Sequence, residues 1–335
     1  MRRAHLVLLW AALAGCPPPG PPPQYPPYEP PPDPGPPIVV EAPANPAELG
    51  RLDDRLVDFK FDGGQLEFEM HSEQSRVVQI ARNRYMVPVV ISWSMTALDN
   101  VEPTSTLSGV AYLPPASAPN ELGPSVVLTN LQRLDNNQRY RRELYFRARF
   151  GDPRARPYPY DYALPYPHGQ TFAVLQGFHG EFSHRGSNEY AVDFDCPVAT
   201  PVLAARPGAV VVTHAAAQGS GTTAEYLDYK RTNFVIVRHD DGTLGEYMHL
   251  APSSVIVKPG NRVERGQPLA LSGNTGFSST PHLHFQVMTA APDGVAAVSF
   301  PFTLAASASV AEEPVQGRRY TAWEQPPNSA HAQSP

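Results

Sequence analysis

Fourteen of the 21 residues from 17 to 37 are proline, and no packed element can be made from such a stretch. Proline fixes its own φ and has no backbone N–H to give to a helix or a sheet. The run therefore favours extended polyproline II. At about 3.1 Å per residue it would hold whatever follows roughly 65 Å from whatever precedes it. Residues 17–47 read as a tether, so any packed domain begins near residue 48.

Residues 1–16 read MRRAHLVLLWAALAGC. Arg2 and Arg3 open the segment, Leu6 to Leu13 form an apolar run too short to span a bilayer, and small Ala14 and Gly15 precede Cys16. This is the pattern of an export signal. Leu13-Ala-Gly-Cys16 resembles the bacterial lipobox, which implies a lipid on Cys16 and a membrane anchor through it. Pro17 follows the cysteine where an aspartate would mark retention in the inner membrane. In a two-membrane cell the resemblance therefore implies a periplasmic protein held at the outer membrane. A net charge of −6 without a basic run argues against nucleic acid as a partner. Cys16 and Cys196 are too few for a disulfide framework, and Cys196 reads as a free, buried thiol.

The rest of the chain predicts an all-β protein. Leu66, Phe68 and Met70 alternate with Glu67 and Glu69, the period of a half-buried strand. Residues 85–93, 107–112 and 125–129 are β-branched and aromatic and also read as strands. No long helical period interrupts them, so residues 48–160 predict an N-terminal β-sandwich with no catalytic constellation. Within it and beyond, residues 139–168, rich in Arg, Tyr and Pro, read as a connector. Residues 161–310 predict a second, small antiparallel β-sheet domain, with strands near 173–175, 201–205, 209–212, 233–238 and 282–288. Residues 311–335 read as a disordered tail.

The second domain holds the chemistry. In Pro281-His-Leu-His-Phe285, residues two apart share a strand face, so His282 and His284 point one way and Leu283 and Phe285 the other. His184 and Asp193 lie upstream. One imidazole and one carboxylate from there, plus one imidazole of the His282-x-His284 pair, would give zinc three ligands and leave the fourth position open, as in catalytic rather than structural sites. Tyr247-Met-His-Leu250 adds a further histidine, and on a strand His249 would share a face with Tyr247. Glycine-rich turns at Val257–Gly260 and Ser272–Gly276 separate the short strands.

In this order the motifs resemble the lysostaphin-type (LytM-like) zinc endopeptidase domain, in which an early His…Asp pair is joined by a late His-x-His. The resemblance rests on Ala199-Thr-Pro-Val202, Asn233-Phe-Val-Ile-Val-Arg-His239, Tyr247-Met-His-Leu250, Val257-Lys-Pro-Gly260, the segment from Gly266 to Gly273 and Pro281-His-Leu-His-Phe285. It covers about residues 180–290. It implies zinc ligands at His184, Asp193 and His284, catalytic histidines at His282 and His249, and a peptide bond of peptidoglycan as substrate. A regulatory protein partner is a further expectation. The family commonly spaces its His and Asp four residues apart, where this chain has Asn188; Asp193 keeps the usual distance to Pro197, and Asp195 is its rival. A non-catalytic relative that binds wall or activates another hydrolase is the alternative reading.

Overall fold

The structure, a computed structural model, describes residues 49–57 and 65–323. The segments expected to be an export signal ending at Cys16 and a tether lie outside the described residues. All described residues fall in one compact unit, Asp33–Pro335.

Residues 51–150 supply β1 (Arg51–Val57), β2 (Leu66–Glu73), β3 (Arg76–Asn83), β4 (Val89–Asp99), β5 (Val101–Pro103), β6 (Ser108–Leu113), β7 (Val126–Arg133) and β8 (Arg141–Phe150). They form a five-stranded sheet in the order β1-β2-β3-β7-β5 and a three-stranded sheet β6-β4-β8. Leu66, Phe68 and Met70 from the first sheet share one apolar core with Ile91, Trp93, Ala148 and Phe150 from the second, which makes the region a sandwich. Burying a side chain such as Phe68 contributes about 1.5–3 kcal/mol.

Two expectations change here. The polar face of β2 is buried as well: Glu67 and Glu69 are each 2% exposed, because Arg55 of β1 and Arg84, just beyond β3, lie over them. And residues 141–150, expected as connector, form the long strand β8. Its apolar positions Leu144, Phe146, Ala148 and Phe150 alternate with Arg, Glu and Tyr, so the two-residue period is present under a charged composition.

The remainder supplies β9 (Asp161–Tyr162), β10 (Thr171–Gln176), β11 (Val192–Phe194), β12 (Pro201–Leu203), β13 (Gly208–His214), β14 (Ser220–Gly221), β15 (Phe234–Arg238) and β16 (Leu244–Met248). It continues with β17 (Arg262–Val263), β18 (Pro268–Leu271), β19 (Gly276–Phe277), β20 (Leu283–Ala290), β21 (Ala297–Phe300), β22 (Thr303–Ser307), β23 (Val310–Glu312) and β24 (Arg319–Thr321). Nine of these make one antiparallel sheet, ordered β17-β13-β15-β16-β20-β11-β10-β24, with β21 beside β11 on the same edge of β20.

β20 organises both faces of that sheet. Leu283, Phe285 and Val287 pack into a core with Tyr162, Phe194 and Tyr247. The opposite face carries His284, Gln286 and Met288 in turn. Met288, with Phe234, Ile236 and Leu244, is buried in the core of the sandwich. The apolar interior is thus continuous across residue 160, and the sandwich covers the face of the sheet that bears His284. The junction is tight at Gly151, just beyond β8. A Cβ there would lie 2.7 Å from the Ala290 nitrogen, and φ is +117°. Only glycine fits that approach without strain. Next to it, the Thr289 hydroxyl donates to the Asp152 carbonyl at 2.7 Å.

The expected tail is also corrected as far as residue 323. β24 pairs with β10, and Tyr320 is 3% exposed, because its ring fills the edge of the core while its carbonyl accepts from the Tyr166 hydroxyl at 2.9 Å. Residues 324–335 lie outside the described residues.

Candidate metal centre

Asp193 sits in the middle of β11, directly opposite His284 of β20. His184 reaches them from the loop before β11, where its own N–H is held by the Gly180 carbonyl at 3.1 Å. All three are buried, and their candidate ligand atoms lie within 4.8 Å of one another. Asp193 Oδ1 is 2.9 Å from His284 Nδ1, and Oδ2 is 3.1 Å from His184 Nε2. The two rivals lie elsewhere. Asp195 is exposed to solvent, and the Asn188 amide oxygen accepts from Gln286 Nε2 at 3.5 Å.

The donor set fits a metal ion. His184 Nδ1 donates to the Gly177 carbonyl at 2.8 Å, which leaves Nε2 as the lone-pair nitrogen. That nitrogen is close to Asp193 but not aligned for a hydrogen bond, and it is buried without a partner, as is His284 Nε2. A buried polar atom without a partner costs about 1–3 kcal/mol. One of them, His184 Nε2, lies 3.1 Å from the carboxylate, and a cation held there would account for it. Burial alone would raise the Asp193 carboxyl, but His184 and His284 beside it, with His282 a little further off, hold it well below the usual carboxylate range. Burial lowers His284, so its imidazole is neutral. An ionised carboxylate and neutral imidazoles are the forms that ligate.

His282 and His249 flank this trio. His282 Nε2 is 3.7 Å from Asp193 Oδ1, and its Nδ1 donates to the Thr280 carbonyl at 2.8 Å. The rings of His249 and His282 are 4.6 Å apart. His249 Nδ1 donates to the Thr275 carbonyl at 2.7 Å. Burial, then the neighbouring His282 and His284, push His249 down to about 3.

The expectation that His249 shares a strand face with Tyr247 does not hold. β16 ends at Met248, and His249 takes φ +62°, a left-handed conformation costly for a residue with a Cβ. That reversal sends Tyr247 into the core, where its hydroxyl accepts from the Ala205 N–H at 2.8 Å, and turns the imidazole of His249 to the opposite side.

Asp193, His249, His282 and His284 line an open cleft of about 890 Å³, and His184 lies buried behind that lining. Phe182 and Phe277, stacked 5.9 Å apart, stand at its rim; Arg149, Asn188 and Gln286 lie along its lining as well. Sequence reasoning missed Gln176, whose amide nitrogen donates to Asp193 Oδ2 at 3.0 Å and to the Ser183 hydroxyl at 2.9 Å, while its oxygen accepts from the N–H groups of Phe182 and Ser183. It ties the His184 loop to the carboxylate. Nothing in its setting on β10 signals this. The remaining histidines stay outside the cleft lining: His239 is buried against Thr243, His179 pairs with Glu189, His214 donates to the Thr232 carbonyl and His168 is exposed. Cys196 is a buried free thiol that burial pushes up.

An antiparallel sheet that presents a buried His–Asp–His group at the floor of a cleft, with two further imidazoles beside it, has the architecture of a metallopeptidase domain. Residues 187–296 match the family described as Peptidase family M23, and this part of the chain is a peptidase M23 domain. The match begins three residues after His184. Over 105 residues the chain is 41% identical to the glycyl-glycine endopeptidase ALE-1 of Staphylococcus capitis, covering 31% of this chain and 25% of the relative. Over 96 residues it is 36% identical to the peptidoglycan DD-endopeptidase ShyA of Vibrio cholerae, covering 29% and 19%. The chain thus spans a quarter or less of the length of these relatives. The solved catalytic domain of lysostaphin from Staphylococcus simulans overlaps 43% of this chain and 88% of its own, at 28% identity and a TM-score of 0.26.

Proposed function

We propose that this protein is a zinc-dependent endopeptidase that hydrolyses peptide bonds in peptidoglycan. In this reading a lipid on Cys16 holds it at the outer membrane, and the proline tether carries the cleft into the periplasm. The observation that carries the proposal is the buried group His184, Asp193 and His284, whose ligand atoms all lie within 4.8 Å of one another, at the floor of an open cleft. Relatives named for cleaving glycyl-glycine or peptidoglycan bonds support the substrate.

His184, Asp193 and His284 would hold the ion. When bound, zinc supplies Lewis-acid polarisation of the scissile carbonyl and makes water easier to deprotonate. The chain's own histidines move the proton. With Nδ1 fixed on the Thr280 carbonyl, His282 turns a basic Nε2 toward the site. It takes the proton of the attacking water as the new C–O bond forms, and passes it to the leaving amine as the C–N bond breaks. His249 is neutral with its only N–H held by Thr275, so it accepts a hydrogen bond and orients the water rather than donating to the oxyanion. No His-Glu-x-x-His occurs in the chain, in keeping with an imidazole base.

Metal-loaded protein incubated with purified peptidoglycan is expected to release fragments with new peptide ends, identified by mass. Wall binding without any such fragments defeats the proposal and leaves the non-catalytic relative in its place.

A further inference from the structure

We infer that Arg149, contributed by the sandwich, reads a free carboxylate on the peptide substrate about two residues from the bond that is cut. The inference rests on the peptidase reading above and adds a recognition element from outside the M23 domain.

Arg149 lies between Ala148 and Phe150, whose side chains are buried in the sandwich core. Alternation along β8 therefore sends Arg149 the other way, into the lining of the cleft. Its position is fixed by the junction already described, because Gly151 and Asp152 are seated on Thr289 at the end of β20. Among the residues that line the cleft it is the one Lys or Arg. Among the described residues its guanidinium makes no ion pair; its one hydrogen bond runs to the neighbouring Ala148 carbonyl at 3.0 Å.

A structural role would be to neutralise Glu246, whose carboxyl is buried nearby and raised by burial. Glu246 already has its own partners: it accepts from Gln286 Nε2 at 2.6 Å and from the Tyr229 hydroxyl at 3.3 Å. The arginine that would neutralise it stands beyond ion-pair distance and faces the cleft instead. A half-buried guanidinium with most of its donors free, in the lining of an open cleft, is suited to a carboxylate held by two parallel hydrogen bonds.

The placement sets the register. Glu246, whose carboxyl feels the charge of Arg149, accepts from Gln286, and Gln286 follows His284 by two residues on β20, about 7 Å along a strand. An extended substrate lying along β20 covers that distance with about two residues. The recognised group is thus a carboxylate near the scissile amide.

The test uses the full chain and peptide dimers released from sacculi by a muramidase, either native or with their carboxylates converted to primary amides by carbodiimide and ammonia. Wild type is expected to cleave the native dimers with a kcat/KM on the order of 10–100-fold above the amidated ones, mostly through KM. Arg149→Gln is expected to lose that preference, and Arg149→Lys to keep part of it. Equal cleavage of both dimers by wild type, or an undiminished preference in R149Q, overturns the inference and leaves the peptidase reading standing. Cleavage of neither dimer removes the peptidase reading, and the inference falls with it. Because the amidation arm uses wild type alone, a poorly folding R149Q cannot hide the answer.

Discussion

Two buried clusters in which a carboxylate touches imidazole directly, one in each region, differ in one respect. In the sandwich, Glu69 accepts from His71 at 2.9 Å and from Arg55 at 3.1 Å, and His71 reaches the Gly50 carbonyl with its other nitrogen at 3.4 Å. Each nitrogen of His71 and each oxygen of Glu69 has a partner. In the M23 domain, Asp193 draws in His184 and His284, yet one nitrogen of each imidazole is left without any. Depth of burial and residue types are alike; the bookkeeping of donors and acceptors is not. A closed polar cluster holds a structure together, whereas an open one around a single point is arranged for something that arrives from outside.

Substitutions can break that contrast. The largest effect is expected at His284→Ala, which removes a candidate ligand: wall hydrolysis should fall by roughly 10³-fold or more, and metal analysis should show the ion gone. Full zinc occupancy in H284A would refute the ligand assignment. His282→Ala should cost about 10²–10⁴-fold in kcat while metal content stays at the wild-type level, since a proton carrier rather than a ligand is lost. Gln176→Ala should weaken metal affinity by about 10–100-fold, measured by chelator competition, because the carboxylate loses the amide that orients it. In the closed cluster, His71→Ala should lower stability by about 1–3 kcal/mol in urea unfolding and leave kcat and metal content alone. An activity loss in H71A that matched its neighbours in the cleft would erase the distinction.

The smallest effect separates the clusters by pH. His249 is pushed from 6.5 down to about 3, so the unfolded chain binds a proton there that the folded chain refuses. Stability of the metal-free protein is therefore complete above about 6.5 and is lost as pH falls from there toward 3. Asp193 acts later: its contribution is present above 3.8 and disappears as pH falls through its depressed value. His249→Gln should flatten the decline of Tm between about pH 7 and about pH 5, while H71A should not.

Much of the site was legible because its residues lie in short local patterns. His-x-His on a strand declares its own face, and Leu283 and Phe285 behind it declare the core. Asp193 could be chosen over Asn188 because a neutral amide is a poorer ligand and because its distance to Pro197 is kept. Other features had no such local mark. Gln176 and Arg149 come to the cleft from segments whose patterns say only strand, and it takes pairing across the sheets to show where they point. His249 was placed on the wrong face because alternation fails where φ becomes positive, and a single residue outside the strand reverses a side chain. β8 was hidden by composition: five of its ten residues are Arg or Glu, and their abundance obscured the alternation beneath.

The shared apolar interior has a practical side. Phe234, Ile236, Leu244 and Met288 belong to the M23 domain by sequence but to the sandwich by packing. A fragment started near residue 160 to isolate the M23 domain would bare these four side chains at once, beside the cleft, as a sticky patch on an otherwise finished surface. Whoever wishes to transplant this M23 domain must carry its neighbour along, or repaint that patch with polar residues first.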